Sequence, residues 1–234
     1  MIRLTNALGA EKILPLTMSF RRVPLEIDVP SQPLFGLDGD VVTGKSTLRP
    51  RQFTLEGGIY HPNKEHIRQE LDSILSFLMH PPVEVYRQHY HDRFLRAYPL
   101  GAPQDWLDGG AELQLRIPMI AHDPYWYGPE VTVNISGTQT ITVDGTAPAI
   151  PRIVALGVTD NLTIVNGSNG HNISVNASGD VEIDNTDYVC KVNGADRLDL
   201  IDDSWFLTGF ELVPGENELE TNSPAKMIYR PRWY

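Results

Sequence analysis

The amino-acid sequence predicts a mainly β protein with one α-helix. Short stretches in which apolar and polar residues alternate recur along most of the chain, as in Leu25–Val29 and Val131–Ile135. Alternation at a period of two residues is typical of a half-buried strand. Asn-Gly pairs such as Asn166-Gly167 separate the later stretches and supply the positive φ values that two-residue hairpin turns need. The 19 glycines and 18 prolines follow no fixed period, which suits many short strands joined by tight turns.

The one helix is predicted over residues 63–79. Asn63 suits the N-cap position, and Pro81 ends the helix because a residue before proline is pushed out of the α region. The remaining face is polar, so the helix is expected to cover one side of a sheet. The apolar residues recur at helical spacing and form one stripe: Ile67, Leu71, Ile74, Leu75 and Leu78.

Around this helix the first 130 residues are expected to form strands. Residues 30–47 are rich in Pro, Gly and Asp, which predicts an extended loop or a hairpin arm. A second hairpin is predicted from Val83–Tyr90 and Arg93–Tyr98, with its turn at His91-Asp92. Pro118 interrupts an alternating strand and places it at a sheet edge or at a bulge, because proline cannot donate to a ladder.

The sequence pattern changes near residue 130: helical spacing of apolar residues ends, and short alternating stretches follow at regular intervals. This change predicts an N-terminal β domain at 1–130 and an antiparallel β-sandwich at 131–234. The aromatic block Asp123–Gly128 lies at the joint. Pro124 ends a ladder there, and Tyr125, Trp126 and Tyr127 offer large amphipathic side chains that we expect to form a structural wedge between the two domains. Whether the last strand, ending in Trp233-Tyr234, stays on the second domain or returns to the first is left open.

The charge balance excludes two classes of partner. The formal net charge is −11, whereas a nucleic-acid binder needs a concentrated Lys/Arg surface and docking on anionic lipid needs the same. No segment approaches the roughly 20 apolar residues of a membrane span, and the first residues lack a signal-peptide pattern. We therefore expect synthesis in a cytoplasm without export. The single cysteine, Cys190, is expected to be a small core or interface hydrophobe.

Three motifs invite a chemical interpretation. Gly39–Ser46 fits the phosphate-loop pattern, but no buried strand precedes it and Pro50 blocks the helix that such a loop opens. His89 and His91 alternate on a strand, yet a zinc site needs further ligands that no neighbouring element supplies. The same-face carboxylates of 180–184 form a solvated stripe and not a cleft. We therefore expect no catalytic residues, no cofactor and no metal site.

Several sequence features line up in an order that resembles one protein family. The segment Arg51–Gly57 precedes the helix, and the Asp-Pro-Tyr-Trp block of 123–126 follows the predicted edge strand. The β-rich half then contains Asn161–Asn166, and Pro214-Gly215-Glu216-Asn217 stands near the closing segment Tyr229–Tyr234. Together they resemble the distal tail protein family of long-tailed, noncontractile bacteriophages and prophages.

The resemblance implies a fold and a role. It implies an N-terminal β domain with one helix and a protruding hairpin arm, and a C-terminal galectin-like β-sandwich. It implies six copies in a ring that joins the tail tube protein to the tail-tip hub (the tail-associated protein), with a contact to the tape-measure protein also open. Either Pro30–Ser46 or Val83–Tyr98 is the arm by analogy. The candidate subunit-contact residues are Leu34, Phe35, Val41, Val42, Tyr86, Tyr90 and Phe94.

Two other hypotheses belong to different functional classes. A lectin-like module that binds host-surface carbohydrate would use exposed aromatic side chains such as Tyr188, Trp205 or Phe206, although aromatic residues more often pack in a core. An enzyme would need an assembled catalytic constellation, which the sequence does not contain.

Overall fold

The structure, a computed structural model, describes residues 2–15, 17–22, 26–33, 40–42, 47–87, 90–101, 103–108 and 112–234. The chain divides into two compact units, unit 1 (Met1–Trp126) and unit 2 (Tyr127–Tyr234). Both are built mainly from antiparallel strands, and one long helix lies in unit 1. The mainly β class with one main helix is therefore confirmed, whereas the assignment of separate domains at 1–130 and 131–234 stays a prediction.

Unit 1 contains two antiparallel sheets that share one strand. The strand order is β2-β1-β9-β10-β12-β8-β3, with β11 also paired to β12. Strand β10 belongs to both sheets, because Phe94–Ala97 pair with β9 and Tyr98–Pro99 pair with β12. The elements are β1 (Arg3–Thr5), β2 (Glu11–Ile13), β3 (Ser19–Arg22), β4 (Ile27–Asp28), β5 (Ser31–Pro33), β6 (Asp40–Val42), β7 (Thr47–Leu48), β8 (Arg51–Tyr60), α1 (Lys64–Leu78), β9 (Val83–Arg87), β10 (Tyr90–Pro99), β11 (Gln104–Asp108) and β12 (Glu112–Ala121), and β13 (Trp126–Tyr127) spans the boundary.

Helix α1 begins and ends where the sequence predicts. The Asn63 side chain accepts a hydrogen bond from the Glu65 backbone N–H at 2.9 Å, and Met79 is the C-cap. Ile67, Ile74 and Leu78 of the predicted stripe are buried. Phe77 is also buried, which the stripe did not include.

Two expectations for unit 1 are wrong in detail. Strand β12 is not an edge strand, because it pairs with β8 on one side and with β11 and β10 on the other. Pro118 is accommodated because β12 changes partner on its other side there, from β11 at Arg116 to β10 at Met119. The second hairpin differs from its prediction because His91 and Asp92 lie within strand β10 and not in a turn.

The strands described between Glu26 and Arg49 pair with one another. Strand β4 pairs with β7 and β5 pairs with β6, each as a two-stranded sheet. Among the described residues of unit 1, neither pair adds a third strand. We call the segment Glu26–Arg49 the arm hairpin.

Unit 2 is an eight-stranded antiparallel sheet folded around one core, in the order β17-β16-β21-β15-β18-β19-β20 with β14 on β21. Strand β21 pairs with β16 over Leu219–Thr221 and with β15 over Lys226–Ile228, so it serves both layers of the sandwich. The elements are β14 (Val131–Val143), β15 (Arg152–Val158), β16 (Leu162–Asn166), β17 (His171–Val175), β18 (Gly179–Asp184), β19 (Val189–Val192), β20 (Ala195–Asp196), a 3₁₀ turn (Leu198–Leu200), α2 (Ser204–Thr208), β21 (Gly215–Tyr229) and β22 (Arg232–Trp233).

The core of unit 2 takes side chains from both layers. Ile164 and Ile173 come from one layer, and Ile153 and Val181 come from the other. The short helix α2 was not predicted, and its Trp205 is fully buried in the same core. Cys190 is also buried there, and this burial raises the pKa of its thiol, with a smaller contribution from Asp199.

Candidate assembly surfaces

The aromatic block is anchored in unit 1 through Trp126. This side chain is only 5% exposed, and its ring lies 5.9 Å from that of Phe20, which stacks on Phe53 at 4.5 Å. The backbone N–H of Tyr125 donates to the Asp123 carboxylate at 3.3 Å, which stabilises the turn before the strand. Trp126 is therefore a core side chain of unit 1.

In unit 2 the block continues into a contact with the closing segment of the chain. The Gly128 N–H donates to the Pro231 carbonyl at 2.9 Å, and the Arg232 guanidinium lies 5.7 Å from the centre of the Tyr127 ring. A Cβ atom on Gly128 would lie 2.9 Å from the Trp233 ring, so a larger residue would force that ring to move. The structure thus brings together two aromatic motifs that stand a hundred positions apart in the sequence.

The closing segment is also fixed by a second glycine. The backbone N–H groups of Thr146 and Ala147 donate to the Arg232 carbonyl at 2.9 and 3.0 Å. Gly145 adopts a φ of +119°, and a Cβ atom there would collide with the same carbonyl. Within unit 2 the last strand is therefore held by close backbone approach, which glycine alone permits.

The Pro-Gly-x-Asn motif has a structural role in unit 2. The Asn217 side chain is fully buried; its Oδ1 accepts from the Val213 N–H at 2.9 Å and its Nδ2 donates to the Val213 carbonyl at 2.7 Å. Asn166, also fully buried, donates from Nδ2 to the Asn217 Oδ1 at 2.9 Å. The motif therefore connects the end of β16 to the turn that starts β21, which is a pairing that sequence inspection did not find.

The first group of candidate contact residues lies in the arm hairpin. The strand pairing places Val41 opposite Gln32 and Val42 opposite Ser31, while Leu34 and Phe35 lie outside the described residues. At the described base of the hairpin, Ile27 is 61% and Val29 is 45% exposed. Arg49 reaches Glu26 at 3.4 Å and Asp28 at 3.5 Å, but these exposed ion pairs add little stability.

The second group lies in the ladders of unit 1. Phe94 is 2% exposed, and its ring is 5.3 Å from that of Tyr86. The Tyr86 hydroxyl donates to Glu84 at 2.9 Å, and the Arg3 guanidinium stacks 3.9 Å above the Tyr86 ring. Tyr90 starts β10 opposite Arg87. Tyr86 and Phe94 are therefore engaged within the unit.

The described residues of the phosphate-loop pattern and of the histidine pair do not lie in the structural context that their chemistry requires. Asp40–Val42 of the phosphate-loop pattern is a strand, and strands β7 and β8 follow where such a loop would open a helix; the rest of that pattern lies outside the described residues. His89 also lies outside the described residues. In the part of the chain that the structure describes, no three His, Cys, Asp or Glu side chains converge as metal ligands.

The same-face carboxylates of β18 are each committed to a local contact. Glu182 pairs with Arg152 at 2.8 Å, Asp180 accepts from the Gly157 N–H at 3.0 Å, and Asp184 accepts from the Thr186 N–H at 2.9 Å. They form the row along one strand that the sequence predicted, with Val181 and Ile183 buried on the opposite face.

Comparison with known proteins gives two findings. Residues 144–233 match the family model described as the C-terminal domain of siphovirus-type tail components. The solved structure of SPP1 Dit (gp 19.1), described as a paradigm of the hub adsorption apparatus in phages that infect Gram-positive bacteria, is similar over the whole of both chains with a TM-score of 0.77 and 17% sequence identity. No curated protein matches the chain.

These findings agree with the resemblance that the sequence carries. The family model covers most of unit 2, and the structural likeness extends the shared fold to unit 1. The resemblance to distal tail proteins is therefore confirmed.

Proposed function

We propose that the chain is a structural tail component of the siphovirus type and that six copies form a ring that joins the tail tube protein to the tail-tip hub. The match of residues 144–233 to the family model and the fold shared with SPP1 Dit support this proposal. The observation that carries this proposal is the arm hairpin. An isolated two-stranded hairpin is marginally stable in water, so a hairpin with exposed apolar residues at its base is best explained by a partner that covers it.

A second copy of the chain is the partner that fits this proposal. A closed ring uses head-to-tail contacts, so each copy needs one surface that reaches out and a different surface that receives it. Pairing of a projecting hairpin with a neighbour also hides strand edges that would otherwise aggregate. The exposed Ile27 and Val29 give such a contact an apolar centre.

Of the two segments that the sequence left open, Pro30–Ser46 and Val83–Tyr98, we assign the arm to the first, which lies within the arm hairpin. The Val83–Tyr98 hairpin contributes Val83, Val85 and Leu95 to the buried core of unit 1. Moving it toward a neighbour would expose that core, at a cost of roughly 1.5–3 kcal/mol for each large side chain. Residues 26–32 and 47–49 of the arm hairpin carry no buried side chain that such a movement would expose.

We also propose that the aromatic block is a structural joint and not a ligand site. Pro124, Tyr125, Trp126 and Tyr127 are each at least half-buried. Trp126 packs in unit 1 while the next residue, Tyr127, packs under Arg232 in unit 2.

The proposal includes the partners and place of action that the resemblance implies. The ring contacts the tube protein on one side and the hub on the other, with the tape-measure protein as a further contact, and it assembles in the cytoplasm of the bacterial host. It catalyses no reaction and needs no cofactor. Among the described residues, no helix has the length and apolar character of a membrane span.

Mass in solution tests the ring. Sedimentation of the full chain over a range of concentrations is expected to show a hexamer or a pair of hexamers at the upper end, and electron microscopy should show closed rings. A strict monomer at every concentration that also fails to bind the tube protein and the hub would contradict the proposal.

A further inference from the structure

Strand β14 of unit 2 is a long strand with one open edge. It runs for 13 residues, Val131–Val143, and pairs with β21 along nearly its whole length. Among the described residues no other strand pairs with it. Strands usually have about 3–10 residues, and an unpaired edge of this length presents a row of backbone N–H and C=O groups to any strand that approaches.

This edge lacks the side chains that normally keep strands from pairing with another chain. Residues 131–143 contain no Asp, Glu, Lys, Arg or Pro, whereas edge strands are commonly protected by charges or by proline. Gln139 Nε2 donates to the Asn134 carbonyl at 3.0 Å, so a side chain of the same strand caps one of its backbone groups. One face of the strand carries short, uncharged polar side chains, all of them exposed: Thr132, Asn134, Ser136, Thr138, Thr140 and Thr142.

The sequence of β14 is nearly the same when it is read in either direction from Gly137. At most positions an apolar residue is matched by an apolar residue and a hydroxyl by a hydroxyl. The positions equidistant from Gly137 are Val131 and Val143, Thr132 and Thr142, Val133 and Ile141, Asn134 and Thr140, Ile135 and Gln139, and Ser136 and Thr138. A two-fold axis brings the same surface of two copies together, and β-branched and Thr–Thr pairs directly opposite each other stabilise antiparallel strands.

Gly137 is also the centre of this symmetry in the structure. Its φ is +61°. Ile135 pairs with Ala225 and Gly137 pairs with Thr221, so between these pairs β14 has one residue and β21 has three. The kink at Gly137 divides β14 into two segments of equal length, 131–136 and 138–143. Because the kink is central, it falls at the same point in both strands of an antiparallel pair and leaves the two segments in register.

The space beside Gly137 is open. Apart from the adjoining residues, no atom lies within 4 Å of the position that a Cβ atom would take there. Glycine inside a strand often marks a place where another backbone approaches closely.

We propose that two copies of the chain join edge to edge through β14, antiparallel and with a two-fold axis at Gly137. Val131 then lies opposite the partner's Val143, and one sheet continues across the contact. Pairing ends at Glu130 and Asp144, because like charges opposite each other are destabilising. The contact lies in unit 2 whereas the arm hairpin lies in unit 1, so it does not depend on the ring proposed above.

Cross-linking of single-cysteine variants tests the pairing and its register. Thr132→Cys and Thr142→Cys are each made in the full chain with Cys190→Ala and with the arm substitutions Ile27→Lys and Val29→Lys, so that arm contacts do not contribute. In the proposed register Thr132 lies opposite the partner's Thr142, with Cβ atoms about 5 Å apart. Thr132 and the partner's Thr132 are separated by ten residues along the pair (142 − 132), about 34 Å. A short bismaleimide is therefore expected to join the two variants when they are mixed and to leave each variant alone as a single chain.

A charged variant tests whether the open edge is the contact. Ser136→Lys with Thr138→Lys places like charges opposite each other on both sides of the axis. The yield of the mixed cross-link is expected to fall roughly tenfold or more. Asn172→Lys with Asn176→Lys, at two exposed positions elsewhere in unit 2, is the matched control and should leave the yield unchanged. Circular dichroism of each variant checks that the fold is retained.

Three results would overturn the proposal. One is that the mixture gives no cross-linked product at the highest concentration at which the chain stays in solution. Another is that Thr132→Cys alone reacts as fast as the mixture, which is the behaviour of parallel pairing or of random collision. The third is that the two lysine variants lower the yield equally. A chain with the native arm that forms no ring, while the mixture still gives the cross-link, would refute the ring alone.

Discussion

The arm hairpin and the strand pair β14–β21 are both made of two antiparallel strands, but they differ in what covers them. Strand β21 buries Leu219, Met227 and Tyr229 in the core of unit 2 and pairs on its second edge with β15 and β16. Residues 26–32 and 47–49 of the arm hairpin bury no side chain, and Ile27 at its base is 61% exposed. A strand pair is therefore stabilised by the layer that covers it and not by strand pairing alone.

The largest effect is expected from opening the covered pair. Leu219→Ala removes a side chain that is 1% exposed and should lower the free energy of unfolding by about 2–5 kcal/mol, because it leaves a cavity between two layers. Labelling of Cys190 with a thiol reagent during urea unfolding reports on unit 2 specifically, since this is the one cysteine and it is buried.

The control for this prediction is Leu156→Ala, which changes the same residue type at a site that is 71% exposed. It should shift the stability by less than about 0.5 kcal/mol. Equal losses in the two variants would show that burial does not distinguish these strands.

A smaller effect is expected from the polar contact that starts β21. Asn217→Ala should cost about 1–3 kcal/mol, because it leaves buried partners such as the Asn166 side-chain amide without a hydrogen bond. A double-mutant cycle with Asn166→Ala should give a coupling energy of about 0.5–3 kcal/mol. Asn172→Ala, at an exposed position of β17, is the matched control. A coupling energy near zero between Asn166 and Asn217 would refute their contact.

The smallest effect on stability is expected in the arm hairpin, where assembly changes instead. The double variant Ile27→Lys and Val29→Lys should leave the stability of the single copy within about 0.5 kcal/mol, because neither side chain is buried. Sedimentation should show that the ring dissociates, since two charges would enter an apolar contact. The same substitution at Leu156 is the control, and a ring that survives in the arm variant would remove this hairpin from the assembly.

The sequence predicted the elements that depend on local pattern. Helix α1 is visible from its apolar spacing and its Asn63 cap, and the row Asp180, Glu182 and Asp184 is visible from alternation. The position of β12 was not, because Pro118 excludes a central strand only if both neighbours need its N–H, and the change of partner from β11 to β10 is a tertiary fact.

The candidate surfaces were predictable in composition but not in arrangement. The sequence alternates in both hairpins. Only the burial of Val85 and Phe94 in the structure shows that Val83–Tyr98 is part of the core and distinguishes it from the arm hairpin. The five-residue α2 is too short to show a helical period, and the pairing of Asn166 with Asn217 joins residues that no local pattern connects. In the sequence the Pro-Gly-x-Asn motif contributes only to the family resemblance, whereas the structure gives its physical reason in the buried hydrogen bonds of Asn217.

The register of β14 and β21 also sets the order in which the molecule can form during synthesis. Val131 pairs with Tyr229, a partner that is made 98 positions later (229 − 131), whereas Pro33 of the arm pairs with Asp40. Contacts this distant in sequence form slowly, because the entropy of closing a long loop is lost before the contacts stabilise the fold. Unit 1 can therefore fold while β14 still waits with an unpaired edge, and the closing segment around Arg232 completes unit 2 last.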